Sequence, residues 1–322
     1  MNPKKFHSRY VPERLIGEGG QGVVYLGRNT VTHERVALKY FAKSEFDPAR
    51  MNREVMAMKS LTGNDLHSPA FYAHTVKGYW VEEAKTWAEA AIACQVINGR
   101  TMLSESIRNR YPLEKHEIIR YIGATIDISE TLDYAHSRGV IHRDIKPDNQ
   151  LIDRDGHGWL IDWGCTRETD NLGDILEPLF PERLLCLTPQ GETYGTIGWE
   201  DPDTGIYTLP QRLHDTWGLA ATLYHTISGH HPYSGLPDEE KDATIFARLR
   251  DEDPDPVRMH NPAIPTILET FLELFLASKI MERPESDCFT EGLHTIYKEL
   301  SILRIPMTTT PVVNKGTVYT IL

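Results

Sequence analysis

The chain has 322 residues, of which 40% are hydrophobic and 25% charged, an ordinary composition for a globular protein that can bury a sizeable core. Its 34 Lys and Arg against 46 Asp and Glu give a net charge of −12, which argues against a protein that wraps nucleic acid or binds membrane surfaces. The four cysteines have no metal-binding spacing and are too few for a disulfide framework, and no apolar segment is long enough to span a bilayer. We therefore expect a cytoplasmic protein without nucleic-acid or membrane partners. Its oligomeric state is left open.

The first part of the chain has the pattern of an antiparallel sheet. Between residues 10 and 97, short apolar runs such as 22–26 and 35–39 alternate with Gly, Asn and Thr turn signals. Segment 48–61 differs, because its apolar residues recur at helical spacing and Pro48 lies near its start. We predict one helix beside this sheet.

Within the predicted sheet, six residues form a glycine-rich motif. Gly17-Glu18-Gly19-Gly20-Gln21-Gly22, followed by Val24, matches G-x-G-x-x-G-x-V, whose glycines let backbone N–H groups approach an anion closely. The same glycines would suit a dinucleotide fingerprint that opens a helix, or a simple turn. Strand-like residues on both sides favour a hairpin that covers phosphates.

A lysine follows on the third predicted strand. Lys39 ends the run 36–39, a form of the V-A-I-K motif in which one cation can reach the α- and β-phosphates of a nucleotide, although a surface lysine would give the same pattern. Glu54 on the predicted helix is placed to hold its ammonium group as an ion pair. Glu34 and Glu45 compete for this assignment but lie before the strand and before the helix.

Beyond residue 99 the apolar spacing becomes helical, so the sequence predicts an α+β chain with a sheet-containing lobe, a connector at 98–100 and a mainly helical lobe. The predicted helices are 118–136, 215–228, 243–250, 267–280 and 290–301. No repeat or low-complexity run interrupts this organisation.

The most informative segment is 142–149, His-Arg-Asp-Ile-Lys-Pro-Asp-Asn. It lies between the apolar runs 134–141 and 151–152, which indicates a loop held between a buried helix end and a buried strand. The loop presents an acid, a cation and an amide at the spacing that phosphoryl transfer needs, as Asp144, Lys146 and Asn149.

Two further motifs complete the pattern, Asp162-Trp163-Gly164 and the segment 195–203 that begins Gly-Thr. The whole chain from about 10 to about 300 resembles a eukaryotic-type (Hanks-type) serine/threonine protein kinase. The resemblance implies a bilobal fold with a tail at 1–9, a kinase domain at 10–301 and a tail at 302–322. The lobes would be 10–97 and 98–301. A bacterial or phage enzyme and an effector acting in a host cytoplasm both fit.

The resemblance also implies roles. Asp144 would accept the proton of a substrate hydroxyl, Lys146 would stabilise the transferred phosphoryl group, and Asn149 and Asp162 would bind Mg²⁺, with Mn²⁺ as an alternative. Lys146 together with Thr196 is the pattern for Ser/Thr acceptors in protein substrates, with autophosphorylation expected. The implied ATP-binding residues are Gly17, Gly19, Gly20, Gly22, Val24, Ala37, Lys39, Gln95, Ile97 and Leu151, with Cys94 as the gatekeeper.

The resemblance also implies structural roles for three residues outside the predicted ATP and Mg²⁺ contacts, Trp163, Asp203 and Asp215. Trp163 replaces the usual Phe, and Asp203 replaces a glutamate, so that we expect Asp203 to pair with Arg283. Asp215 is expected to bind the backbone of loop 142–149. The departures from the family pattern, Trp163, Asp201 and Asp203, keep a second hypothesis open, a pseudokinase scaffold that binds nucleotide or partners without efficient catalysis.

The long segment between Asp162 and Asp203 suggests two modes of activation. Thr188, Thr193 or Tyr194 would carry a phosphate that pairs with Arg143, or the carboxylate of Glu192 would take its place permanently. The sequence does not decide between them.

Overall fold

A computed structural model describes the following residues of the chain: 3–19, 22–42, 46–63, 66–81, 86–168, 199, 201, 212–233 and 252–302. The predicted helix 243–250 lies outside them. The described part divides into a sheet-containing lobe and a helical lobe, in agreement with the predicted α+β class.

The sheet-containing lobe is built on five antiparallel strands in the order β1-β2-β3-β5-β4. The strands are β1 Tyr10–Gly19, β2 Gly22–Asn29, β3 Arg35–Ala42, β4 Phe71–Val81 and β5 Thr86–Gln95. The sequence-predicted runs 22–26 and 35–39 lie in β2 and β3. The predicted glycine-rich hairpin is the β1–β2 connection.

A short helix precedes this sheet. The segment Pro3–Arg9, α1, ends where β1 begins, and Phe6 is fully buried in a cluster with Tyr10, Val36 and Leu38. The sequence interpretation placed these residues in a tail outside the domain. The structure instead packs Phe6 into the hydrophobic core of the sheet, because a large apolar side chain gains stability by leaving water.

The helix beside the sheet is α2, Pro48–Leu61, with the predicted bounds. Asp47 caps it by accepting a hydrogen bond from the Ala49 N–H at 2.8 Å, and Pro48 takes the first-turn position where its missing N–H costs nothing. Its buried face carries Met51, Val55 and Met58, the helically spaced apolar residues, together with Glu54.

The helical lobe contains α3 Met102–Arg108, α4 Lys115–Ser137, α5 Arg212–Ser228, α6 Val257–His260, α7 Thr266–Leu276 and α8 Asp287–Ile302. The predicted helices 118–136, 215–228 and 290–301 lie within α4, α5 and α8, whereas α3 and the four-residue α6 were not predicted. The prediction of 267–280 was too long. The chain leaves the helix at Ala277, and the carbonyls of Ala277 and Ser278 accept hydrogen bonds from Arg283 instead.

Short strands position the loop 142–149 between the lobes. It runs from β7, Val140–Ile141, to β8, Gln150–Asp153, which pairs on its two sides with β6, Gly99–Thr101, and β9, Gly158–Leu160. The hairpin of β8 and β9 packs tightly on α4, where a Cβ atom on Gly158 would lie 1.9 Å from the Ala124 carbonyl oxygen. Further on, β10, Arg167–Glu168, pairs with β7.

One hydrophobic cluster includes α2, α4, α5, α7 and α8, so the core continues from one lobe into the other. Its fully buried members include Trp163 and Trp217. None of the helices within the described ranges combines the length and the hydrophobicity needed to cross a bilayer.

Candidate active site

Three charged side chains meet between the sheet and the helical lobe. Lys39 on β3 donates hydrogen bonds from Nζ to both carboxylate oxygens of Glu54 on α2, at 2.8 and 2.9 Å. The same ammonium group lies 2.9 Å from Oδ1 of Asp162, which follows β9. The contact between Lys39 and Glu54 that the sequence predicted is present, and Glu34 and Glu45 are not needed for it.

The opposite charges of Lys39 and Asp162 stabilise each other. Burial alone would raise the pKa of Asp162, but the Lys39 ammonium lowers it to about 2. Burial alone would lower the pKa of Lys39, and the carboxylates of Asp162 and Glu54 raise it above its usual value. The lysine and Asp162 are therefore both ionised at neutral pH.

The loop 142–149 brings Asp144, Lys146 and Asn149 together. Oδ2 of Asp144 accepts hydrogen bonds from Nζ of Lys146 at 3.0 Å and from Nδ2 of Asn149 at 2.9 Å. Nδ2 of Asn149 also donates to the backbone oxygen of Asp144 at 2.8 Å. Since the amide nitrogen faces Asp144, the amide oxygen of Asn149 points away from that carboxylate.

Asp215, in the first turn of α5, binds the backbone of this loop. Its carboxylate accepts the backbone N–H groups of His142 at 2.9 Å and Arg143 at 2.8 Å, and Nε2 of His136 at 2.7 Å. Burial opposes ionisation of Asp215, but the hydrogen bond from His136 lowers its pKa. The structure thus contains the backbone contact that the sequence predicted for Asp215.

Two residues of the site have left-handed backbone conformations. Arg143 has a φ of 67° and Asp162 a φ of 61°, a region that costs a non-glycine residue free energy and persists only where neighbours fix it. Asp215 fixes the first, and Lys39 holds the second. The N–H of Ile161 also donates to the Asn149 carbonyl at 2.9 Å, so both segments are connected directly.

The glycine-rich hairpin borders the same site. In the β1–β2 register Gly17 lies opposite Val24, and Gly19 lies opposite Gly22. Gly22 has a φ of 137°, and a Cβ atom there would lie 2.0 Å from the Tyr40 carbonyl oxygen, so only glycine fits. The hairpin that the sequence favoured over a helical dinucleotide fingerprint is confirmed.

The residues predicted to contact a nucleotide base share one face of the sheet. Val24 lies opposite Lys39 and Ala37 lies opposite Cys94, and directly opposite residues of antiparallel strands point to the same face. Ala37 and Lys39 are two residues apart on one strand and also share a face. Val24 and Ala37 are half-buried, as are Leu151 in β8 and Ile97 in the connector.

Gln95 at the end of β5 makes two hydrogen bonds with Ala70. Its backbone N–H donates to the Ala70 carbonyl at 2.8 Å, and its side-chain oxygen accepts from the Ala70 N–H at 3.2 Å. Any contact of Gln95 with a nucleotide must therefore use another of its atoms. Beside it, burial raises the pKa of the Cys94 thiol to about 12, so this thiol is protonated at neutral pH.

Trp163 fits the site without displacing its neighbours. The indole is 1% exposed, packs edge-on against His142 with ring centroids 4.7 Å apart, and donates from Nε1 to the Ser68 hydroxyl at 3.1 Å. His142 donates from Nε2 to the Ile161 carbonyl at 3.1 Å. Sequence reasoning missed the partner Ser68, which lies 95 positions away in the chain.

The buried arginine of the helical lobe has a different partner from the predicted one. Arg283 donates from Nη2 to Oδ1 of Asp201 at 2.8 Å and from Nη1 to Oδ2, and both side chains are completely buried. The prediction of Asp203 as the partner was wrong. Asp201 lies two residues before Asp203 in the chain, and its carboxylate is the one that faces the guanidinium. Asp203 itself lies outside the described residues.

Several predicted residues fall outside the described ranges. They are Gly20 and Gln21 of the glycine motif, Thr196, and the residues proposed for activation, Thr188, Glu192, Thr193 and Tyr194. Within the described ranges, the other predicted catalytic and metal-binding residues form two connected clusters. One contains Lys39, Glu54 and Asp162, and the other is the Asp144 cluster.

Comparison with known proteins identifies the class. The model of the protein kinase domain family matches residues 10–297, and the chain belongs to this family. The match confirms the resemblance drawn from the motifs and agrees with the bilobal architecture.

Named relatives are bacterial. Serine/threonine-protein kinase PknD of Protochlamydia amoebophila is 26% identical over 287 residues, which cover 85% of this chain and 28% of that protein. Serine/threonine-protein kinase PknD of Mycobacterium tuberculosis is 27% identical over 84% of this chain and 37% of its own length. The DNA damage-responsive serine/threonine-protein kinase RqkA of Deinococcus radiodurans is 27% identical over 86% of this chain and 38% of its own length. The chain thus spans less than half the length of each of these relatives.

Proposed function

We propose that the chain is a serine/threonine protein kinase that transfers the γ-phosphoryl group of Mg-ATP to hydroxyls of protein substrates. The observation that carries the proposal is the connected arrangement of Lys39, Glu54 and Asp162 beside the Asp144 cluster. These are the groups that phosphoryl transfer requires for alignment and charge neutralisation. The names of the bacterial relatives support a Ser/Thr acceptor.

Asp144 would accept the proton of the attacking hydroxyl. Its Oδ2 is oriented by Lys146 and Asn149, so the carboxylate has little freedom to turn away from a substrate. Lys146 lies close enough to Asp144 to neutralise charge that develops on the transferred group. Asn149 and Asp162 offer the amide and carboxylate oxygens that Mg²⁺ prefers.

Asn149 and Asp162 would hold the divalent cation, which would supply positive charge beside the phosphates. Oδ1 of Asp162 accepts a hydrogen bond from Lys39, and the phosphates of a bound nucleotide would draw this lysine toward themselves. Glu54 keeps the lysine in place by two hydrogen bonds during this exchange. Mn²⁺ would suit the same oxygen ligands.

The hairpin of β1 and β2 would cover the phosphates, with Gly17, Gly19, Gly20 and Gly22 allowing close approach of the backbone. Val24, Ala37 and Leu151 would sandwich the base, and the connector from Gln95 to Ile97 would contact its edge. The shared face of Val24, Ala37 and Lys39 supports this placement, since it puts the base and the phosphates on one side of the sheet.

We include autophosphorylation in the proposal. Arg143 is positioned by Asp215 directly before Asp144, where a phosphate on Thr188 or Thr193 would meet a cation. A permanent contact of Glu192 with Arg143 is the competing mechanism. Removal of phosphate by a phosphatase would lower the activity under the first mechanism, and Glu192→Ala would lower it under the second.

The proposed activity is tested by transfer from γ-labelled ATP to a generic protein substrate, comparing the wild type with Asp144→Ala. Loss of the general base should lower the rate about 10²–10⁴-fold. Asp155→Ala, which removes an exposed carboxylate in the turn between β8 and β9, is the matched control and should retain the wild-type rate. Chelation of divalent cations should abolish transfer, and added Mg²⁺ should restore it.

Phosphoamino-acid analysis of the product identifies the acceptor. Phosphoserine and phosphothreonine are expected, and phosphotyrosine alone would contradict the Ser/Thr assignment. ATP binding without any transfer that depends on Asp144 would support the pseudokinase hypothesis instead.

A further inference from the structure

A second group of potential ligands lies outside the Asp144 and Lys39 clusters. His67 belongs to the loop between α2 and β4, Asp127 to α4, and His157 to the turn between β8 and β9. One ring nitrogen of each histidine and a carboxylate oxygen of Asp127 all lie within 4.8 Å of one another. Three separate elements thus direct two imidazoles and one carboxylate at a common point.

The backbone around these ligands is held by hydrogen bonds. The backbone N–H of His67 donates a hydrogen bond to the Thr131 hydroxyl oxygen at 3.1 Å, and its backbone carbonyl accepts one from the Leu160 N–H at 2.8 Å. The N–H of Gly158 donates to Oδ2 of Asp127 at 3.0 Å. Such contacts orient ligands before a metal binds, as supporting hydrogen bonds do in established metal sites.

Within the described ranges, the imidazole of His67 has an unsatisfied ring nitrogen. Its Nδ1 is buried and has no hydrogen-bond partner among the described residues. Oδ2 of Asp127, at 3.6 Å, is beyond hydrogen-bond distance. A buried polar atom without a partner loses free energy relative to its state in water, and a bound cation would remove that loss.

The separations of the ligand atoms suit a small transition-metal ion. Nδ1 of His157 lies 3.1 Å from Oδ2 of Asp127, and Nδ1 of His67 lies 3.6 Å from it. Ligands at bond lengths near 2.0 Å in a tetrahedral site are about 3.3 Å apart. His157 has 57% of its side chain exposed, so its ring can rotate to complete the geometry.

We propose that His67, Asp127 and His157 bind a divalent transition-metal ion of the Zn²⁺ type. Two imidazole nitrogens favour such an ion over Mg²⁺ or Ca²⁺, which prefer oxygen ligands. Three protein ligands leave at least one position for water. The site is separate from the oxygen ligands Asn149 and Asp162.

The bound ion would connect the loop after α2 to the helical lobe. Ser68, the next residue after His67, accepts the hydrogen bond of the Trp163 indole. The turn that carries His157 leads through β9 to Asp162. The ion would therefore stabilise the arrangement of the segments that hold Trp163, and unfolding of the full chain should require a higher temperature in its presence.

The test is a Zn²⁺ titration of the full chain against a chromophoric chelator, in excess Mg²⁺ and without ATP, so that hard-oxygen sites are occupied. The wild type should bind one equivalent. His157→Ala and Asp127→Asn should weaken binding by more than about 100-fold, since loss of a ligand costs more than loss of a supporting contact. Co²⁺ in place of Zn²⁺ should give a visible absorption band that both variants lose.

His294→Ala is the matched control. His294 is also exposed and lies 3.0 Å from a carboxylate of α4, that of Glu130, but belongs to no group of three potential ligands within the described ranges. It should bind Zn²⁺ as the wild type does, and all variants should melt at the wild-type temperature without metal. The proposal is overturned if the wild type binds no Zn²⁺, or if His157→Ala binds it as tightly as His294→Ala.

Discussion

At the scale of single residues, the ion pair of Lys39 and Asp162 determines how the site responds to acid. The carboxylate of Asp162 is 22% exposed and keeps its charge because an ammonium group lies 2.9 Å away. A group whose pKa falls on folding stabilises the folded state above its unfolded pKa. That stabilisation disappears as the pH falls through the folded pKa.

For Asp162 the relevant window lies between pH about 4, the unfolded value, and about 2, the folded value. We expect Asp162→Asn to lower the free energy of unfolding by about 2 kcal/mol at pH 7. The difference from the wild type should fall to about half by pH 3. Urea unfolding at pH 7, 5, 4 and 3 measures it, and a difference that does not change with pH would contradict the role assigned to the ion pair.

At the scale of secondary-structure elements, α5 supports the loop 142–149 through both a carboxylate and a glycine. Asp215 binds the backbone of the loop, and Gly218, one helical turn later, lets the loop lie against the helix. A Cβ atom on Gly218 would be 2.7 Å from Cβ of Ile145 and 2.8 Å from its carbonyl oxygen. Ile145 is the neighbour of Asp144, so this contact determines how closely the loop approaches the helix.

Gly218→Ala should therefore displace the loop. We expect a loss of stability of about 1–3 kcal/mol from overpacking, with a reduced rate of phosphoryl transfer. The control is Gly123→Ala in α4, where a Cβ atom would be 3.3 Å from the edge of the partly exposed Tyr297 ring, which can move. Thermal unfolding and the transfer assay compare the two, and equal effects would refute the special position of Gly218.

At the scale of the whole molecule, the buried pair of Asp201 and Arg283 joins distant parts of the helical lobe. The two residues are 82 positions apart, and Arg283 also donates from Nε to the Ala277 carbonyl at 2.7 Å. The pair connects Asp201, eleven residues before the start of α5, with the region between α7 and α8. A buried charge without its partner is strongly unfavourable.

Asp201→Ala should lower the free energy of unfolding by about 3–5 kcal/mol, because it leaves the guanidinium of Arg283 buried and unpaired. The double variant Asp201→Leu with Arg283→Met should be more stable than Asp201→Ala, since it removes both charges. Glu13→Ala, which breaks an exposed ion pair with Arg28, should cost less than about 1 kcal/mol. The midpoints of urea unfolding measure these differences in stability. Similar losses of stability for Asp201→Ala and Glu13→Ala would be inconsistent with a structural role of the buried pair.

Local patterns predicted much of the fold. The bounds of α2 were correct because a cap, a first-turn proline and helical spacing all agree at one place. The end of α7 was missed because Ala277 and Ser278 give their carbonyls to an arginine that folds back from residue 283, a contact invisible in the pattern. Burial of Phe6 depends on the sheet and is not encoded in the short polar segment around it.

The sequence by itself determined which residues could carry the proposed phosphoryl transfer, because that reaction requires fixed residue types at short spacing within one loop and one hairpin. The tertiary structure decided which side chains that are distant in the chain contact one another. Asp201 rather than Asp203 meets Arg283, Ser68 receives the Trp163 indole, and His67 approaches Asp127 and His157. These contacts join residues far apart in the chain, and their partners are selected by packing geometry rather than by spacing.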